Sequence, residues 1–294
     1  MNNMARPDIS AERTVAIIGL GLIGGSLARD LASRGARVLG YDRDPESMAL
    51  AIASGHVHSA LRDDLADVAD ADWLVLAVPV NEAVGILRAI APVAGHLTLI
   101  TDVGSTKRAI VDAACELGLT RFVGSHPIAG SHHSGWRASR PGLFTGRDVV
   151  LCTAALTSHD ALGHAQSLWE SLGAVTTISP AEVHDERMAW VSHLPQIASF
   201  ALALAIGTRG HARAELGPGG RDATRLAASS PAMWRAIGIE NAASISRAVM
   251  ALEQQLRQFR TALDSSDGDD LEARMANASS WCERAATEPH QRNS

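Results

Sequence analysis

Gly19-Leu20-Gly21-Leu22-Ile23-Gly24 is a GxGxxG sequence that closes an apolar run and opens a helical one. In that place each glycine has a physical job. Gly19 permits a tight turn, Gly21 lets a pyrophosphate approach the backbone, and Gly24 lets helix and strand pack closely. The helix that begins at Leu22 and Ile23 turns its unpaired N–H groups toward the phosphates. Asp42 ends the next apolar run, where a carboxylate accepts hydrogen bonds from the ribose of an adenosine and repels a 2′-phosphate. NAD is therefore the expected cofactor. Arg43 works against that expectation, because an arginine there can pair with a 2′-phosphate.

Further along, Ala77-Val78-Pro79 and Asp102-Val103-Gly104-Ser105-Thr106-Lys107 each follow an apolar run. Carboxyl ends of parallel strands at a topological switch point are where ligands sit, so Val78 and Pro79 are expected at the cofactor edge. Ser105 is placed either to cap a helix or to act on a substrate. His126, in Gly124-Ser125-His126-Pro127-Ile128-Ala129-Gly130, lies just past another run. A neutral imidazole there can take a proton from an alcohol while hydride leaves the same carbon. A loop histidine bonded to backbone is the alternative. His132 and His133 follow, but adjacent positions rarely converge on one ion and no ligand-spaced Cys or carboxylate accompanies them, so no metal is expected. His193 lies in an apolar segment just before Pro195, either bonded to backbone or facing a ligand. Arg221 and Arg225 follow a glycine cluster; an arginine there either clamps a carboxylate bidentately or stands in solvent.

The elements that must position these groups follow from the apolar pattern. Residues 14–20, 37–42, 72–79, 97–103, 121–125, 148–153 and 174–179 read as strands, most of them continuous apolar runs of the kind covered on both faces. Residues 22–33 and 81–90 have helical spacing. This alternation predicts an α/β Rossmann domain, doubly wound with a mainly parallel sheet, over residues 14–180. Residues 1–13 read as a disordered tail. From residue 181 to 294 no strand is evident, and an all-α domain is expected. Residues 181–206 form a long apolar helix that Pro195 should kink or break. Gly217-Pro218-Gly219-Gly220 reads as a turn. Helical patterns resume at 244–263, and a charged last helix follows. A helical half that is apolar on more than one face predicts a homodimer.

The 294 residues suffice for two domains. A net charge of −6 argues against a nucleic-acid partner. Cys115, Cys152 and Cys282 lie far apart without CxxC spacing, which suits a reducing compartment. Charged residues interrupt the apolar stretch at 181–206 and no secretory h-region opens the chain, so neither a membrane span nor export is expected. The cytoplasm is the expected location.

Taken together these segments resemble the prephenate/arogenate dehydrogenases of tyrosine biosynthesis. The resemblance rests on GLGLIGGS at 19–26, DVGSTK at 102–107, SHPIAG at 125–130, His184-Asp185 with VSHLP at 191–195, and RDATRL at 221–226 followed by PAMWR at 231–235. They run in the family's order over most of residues 14–263. The resemblance implies a Rossmann domain joined to a helical dimerisation domain, with the active site between them. It also implies oxidative decarboxylation of prephenate, in which hydride leaves ring C4 for NAD and the ring carboxylate departs as carbon dioxide. By resemblance His126 is the base for the C4 hydroxyl and Ser105 its second partner. Arg225 holds a substrate carboxylate and His193 meets the side-chain end. Many relatives carry an acidic residue where this chain has His132, which biases the reading toward prephenate over arogenate. About thirty polar residues follow Leu263, so no appended mutase or regulatory domain is expected. Two other readings are a 3-hydroxyacid dehydrogenase and a non-catalytic NAD sensor. The first usually needs a lysine in the helical half, and residues 181–294 contain none.

Overall fold

A computed structural model of the chain describes residues 13–130 and 135–287. The expected tail therefore falls almost wholly outside the described residues. β1 (Thr14–Ile18) runs into α1 (Leu22–Ala32), then β2 (Arg37–Tyr41), α2 (Pro45–Ala53) and a two-residue β3 (Ser59–Ala60) that the sequence pattern does not reveal. β4 (Trp73–Leu76), α3 (Val80–Ile90), β5 (Leu99–Asp102), α4 (Arg108–Glu116) and β6 (Phe122–Pro127) continue the alternation. β7 (Asp148–Thr153), α5 (His159–Ser171) and β8 (Val175–Ile178) complete the sheet.

The strand order is β3-β2-β1-β4-β5-β6-β7-β8, so the winding reverses between β1 and β4. Every pairing is parallel except β6 with β7. A parallel neighbour needs a crossover connection, usually a helix. The connection after β6 instead lays Trp136, Leu143 and Phe144 into the core beside α1, and β7 returns antiparallel. Helices cover both faces. Leu27 and Leu31 of α1 pack with Leu168 and Trp169 of α5 on one side; Leu87 of α3 packs with Ile110 and Ala114 of α4 on the other. This two-sided burial is why the strands read as unbroken apolar runs.

The rest of the chain is helical among the described residues. α6 (Ala181–Met188) passes through one π-helical turn, Ala189–His193, into α7 (Leu194–Gly207). The irregularity thus falls in the turn ahead of Pro195, which itself sits in the first turn of α7. Proline has no N–H for the carbonyl four residues back, so regular α-bonding lapses there. Residues 217–220 are not a free turn as expected. Gly217 caps α8 (Pro218–Ala223), because Pro218 brings a helix-ready φ to its first position. α9 (Pro231–Glu240), α10 (Ala242–Asp264) and α11 (Gly268–Thr287) follow. By length and composition alone, Ala181–Gly207 is apolar enough to cross a membrane. In the fold it packs on α10 and on the 3₁₀ turn Arg225–Ala228, with Val191 and Leu204 turned outward.

Candidate active site

The Gly-rich turn is built by steric exclusion. Gly19 has φ +94°, and a Cβ there would lie 2.2 Å from the Ala77 carbonyl oxygen and 3.2 Å from Val78 Cγ1. A Cβ on Gly24 would lie 1.9 Å from the Gly19 carbonyl oxygen, so only glycine lets α1 approach this closely. Around Gly21 the opposite holds, since nothing lies within 4 Å of its Cβ direction. Gly21 is the N-cap of α1 and no side chain caps the helix, which leaves the first amides, ahead of half-buried Leu22 and Ile23, for an anion. Pro79 caps α3 beside this opening.

Asp42 is anchored by backbone. Its Oδ2 accepts from Leu20 N at 2.7 Å and its Oδ1 from Asp44 N at 2.9 Å. Each oxygen keeps a second lone pair for a ribose hydroxyl. Arg43, ambiguous in the sequence, is turned to Glu82 of α3 with its Nη1 2.9 Å from Oε1. Open space, bare amides and a carboxylate at the ribose position together fit a dinucleotide without a 2′-phosphate. Replacing Asp42 by Ser is accordingly expected to raise the NADP-to-NAD ratio of kcat/KM about tenfold, a change of about 1.4 kcal/mol. A wild-type enzyme that prefers NADP would show that Arg43 outweighs Asp42.

The ends of β5 and β6 carry the reacting groups. Asp102 Oδ2 accepts from Gly104 N at 2.8 Å and from the ammonium of Lys107, the chain's only lysine, which is wholly buried. Its Oδ1 accepts from Ser125 N at 3.3 Å. The Ser125 hydroxyl meets Thr101 Oγ1 at 2.8 Å and accepts from the Trp169 indole at 3.0 Å. These bonds fasten the strand end immediately before His126. On β7, opposite Gly124, burial pushes the Cys152 thiol up to about 12, which removes a thiolate from the chemistry here.

Ser105 does not cap α4. The cap position is Lys107, without a side-chain bond, and Ser105 Oγ has no partner among the described residues. The amides at that helix start are taken from across the molecule. Asp185 of α6 accepts from Lys107 N at 2.8 Å and Arg108 N at 3.0 Å. Asp185 Oδ1 also lies 2.7 Å from His184 Nδ1, and His184 Nε2 lies 2.8 Å from His126 Nδ1. Asn241, which ends α9, donates to the Asp185 carbonyl at 2.7 Å and approaches His193 Nδ1 at 3.3 Å. His193 stands edge-on to Trp234 with ring centroids 5.8 Å apart.

One connected polar chain thus joins His126 to His193, and among the described residues neither ring is hydrogen-bonded to backbone. Burial, reinforced by His184, Lys107 and His193, holds His126 well below the ordinary histidine range. Burial likewise lowers His193 to about 4, against an upward pull from Asp185. Both rings are neutral near pH 7. Burial alone would raise Asp185, but the His184 bond and the Arg108 and Lys107 amides outweigh it and keep the carboxylate ionised.

Arg225 stands apart from this chain, exposed and without an ion pair among the described residues. It opens the 3₁₀ turn that α7 anchors, with Gln196 Nε2 donating to the Leu226 carbonyl at 2.7 Å. His132 lies outside the described residues. Sequence reasoning gave no role to His184, Asp185 or Asn241. A signal was present for two of them: Ala181, His184, Asp185 and Met188 are spaced i, i+3, i+4, i+7 and form the buried stripe of α6.

The family model for the prephenate dehydrogenase nucleotide-binding domain matches residues 27–178, and that for the prephenate dehydrogenase dimerization domain matches residues 180–277. The prephenate dehydrogenase of Bacillus subtilis is 32% identical over 271 residues, 88% of this chain and 72% of that protein. The cyclohexadienyl dehydrogenase of Zymomonas mobilis is 34% identical over 268 residues, 87% and 90% of the two chains. A crystal structure of the A. aeolicus prephenate dehydrogenase with hydroxyphenyl propionate and NAD+ superposes with a TM-score of 0.86 at 29% identity, covering 95% of this chain and all of that one.

Proposed function

Because the chain belongs to the prephenate dehydrogenase family, we propose that its reaction is the oxidative decarboxylation of prephenate to 4-hydroxyphenylpyruvate with NAD. The observation that carries this reading is the placement of His126 at the carboxyl end of β6, one strand from Ser105 and across the switch point from the Gly-rich turn.

NAD+, when bound, accepts the hydride from ring C4. The protein's own groups handle the oxygen on that carbon. His126 accepts the C4 hydroxyl proton, and Ser105 supplies a second hydrogen bond to the same oxygen. As the carboxylate leaves, its bonding electrons enter the ring and the proton returns to what is now a phenol oxygen. No net proton is consumed, so the histidine needs only to hold the proton, and a neutral imidazole suits that. Arg225 pairs with a substrate carboxylate, and His193 meets the side-chain end. Hydroxyl, hydride acceptor and carboxylate are thus assigned to separate elements, and orientation does much of the catalysis.

The direct test is to supply the pure protein with NAD+ and prephenate and follow the absorbance of reduced cofactor, with arogenate in parallel. Prephenate is expected to give the higher kcat/KM by several-fold. A site selecting arogenate needs an acceptor or negative charge near the ammonium; by family resemblance that position is His132, whose imidazole donates to a ketone or carboxylate. His132→Glu is expected to move the ratio toward arogenate by several-fold, since a partly hydrated charge contact is worth about 1 kcal/mol. A wild type that favours arogenate, or a Glu variant with an unmoved ratio, contradicts the assignment.

The enzyme also assembles as a homodimer through its helical half. Support comes from the outward apolar residues Val191, Leu204, Ile239, Met250, Leu256 and Leu263, and from the dimerization-domain match. Light scattering at micromolar concentration is expected to give twice the chain mass; a monomer there removes this assignment. Free thiols at Cys115, Cys152 and Cys282 support a reducing compartment, the cytoplasm.

A further inference from the structure

His184 and Asp185 lie outside the catalytic set just assigned, yet they are among the most buried polar groups in the molecule, 2% and 4% exposed. They belong to α6, far from β6 in sequence, and meet His126 through two short contacts in series. Asp185 is an ionised carboxylate and can only accept. His184 Nδ1 must therefore donate to it. With that one proton on His184, the other nitrogen, Nε2, carries the lone pair. His126 Nδ1, 2.8 Å from that lone pair, must donate in turn. The proton of neutral His126 is thereby placed on Nδ1, and its Nε2 is left as an acceptor without a partner among the described residues.

We propose that His184 and Asp185 are positioning residues for the hydroxyl-proton transfer: they hold the proton of His126 on Nδ1, present Nε2 to the C4 hydroxyl, and stabilise the imidazolium that forms. The proposal rests on the reading of His126 as the base. The step itself balances. The hydroxyl O–H bond breaks and its proton joins Nε2 while the C4–H electron pair leaves as hydride to NAD+. The new positive charge on His126 is shared through Nδ1–H to His184 and is offset by Asp185, which stays ionised throughout. The proton returns to oxygen when carbon dioxide departs. Asp185 has a second effect. By accepting from the first amides of α4 it ties the helical half to the loop that carries Ser105, so the base and its hydroxyl partner are set by one carboxylate.

The wild-type protein carries a direct test. Histidine nitrogen NMR of the NAD+ complex near pH 8, with His126 assigned by loss of its signals in His126→Asn, is expected to show Nδ1 protonated and Nε2 bare. A proton on Nε2 overturns the proposal. In kinetics, His184→Leu removes the acceptor and is expected to lower kcat roughly 30-fold or more, toward the scale of losing a base, with KM for NAD+ within about threefold. His184→Gln keeps both functions, its amide donating to Asp185 and its carbonyl accepting from His126, and should recover most of that loss. A merely structural role would not separate kcat from KM or be rescued by glutamine. Unchanged kcat in His184→Leu overturns the proposal. If His126→Asn itself keeps full kcat, the base reading falls first; if His126→Asn is inactive while His184→Leu is not, only the present inference fails.

Discussion

Replacing His126 by Asn is expected to lower kcat about 100-fold or more while NAD+ affinity stays within about threefold. General-base catalysis by a positioned side chain is worth about 10²–10⁴ in rate, and two other titratable groups near β6 among the described residues are unavailable. Lys107 is buried against Asp102, and Cys152 is held as a thiol. Asparagine is a suitable probe because its amide can still donate toward His184 Nε2, which preserves the local bonding while removing the ring nitrogen that accepts. The cofactor turn is built from β1, α1 and β4, none of which touches this side chain through a hydrogen bond, so NAD+ binding should survive. The pH profile offers a check within the same experiment. The accepting form is neutral, and burial first of all holds His126 well below 6.5. Wild-type kcat/KM should therefore stay level as pH falls through the ordinary histidine range, and a loss of activity centred there would point to another group. Full turnover in His126→Asn, by the absorbance of reduced cofactor, removes His126 from the chemistry.

Arg225→Ala is expected to raise KM for prephenate on the order of 10- to 100-fold with a much smaller change in kcat. The carboxylate it pairs with is charged in both ground and transition states, and an interaction made equally in both appears in KM. The magnitude follows from exposure. A hydrogen bond to a charged group contributes about 1.5–3 kcal/mol, and the larger losses seen when a buried ion partner is deleted do not apply, because Arg225 is open to solvent before substrate arrives. Lysine at this position should recover only part of the loss, since an ammonium cannot reproduce the planar fork that meets both carboxylate oxygens. Steady-state kinetics over a wide prephenate range decides the matter: an unaltered KM with a collapsed kcat would move Arg225 from clamp to transition-state contact.

The dinucleotide turn and the alternating strands were legible in the sequence because they are local. A GxGxxG turn is specified by close approaches within a few residues and to the adjoining strand, and a two-sided strand leaves an unbroken apolar run wherever it lies. His126 and Ser105 were visible for the same reason, as polar residues placed just past such runs. What tertiary structure decided is which distant groups share a bond. On spacing alone Ser105 read slightly better as a helix cap than as a catalytic group; the fold removes the cap by bringing Asp185 to the amides of Lys107 and Arg108, 78 and 77 residues away. Arg43 blurred the preference for NAD in the sequence, and in the fold its guanidinium pairs with Glu82 of α3. The protonation of His126 depends on His184 and Asp185, whose buried stripe on α6 shows that they face inward but not what they meet. A residue's spacing determines the face it turns to the core. Its partner there depends on how separate elements pack, and that information is spread over the whole chain.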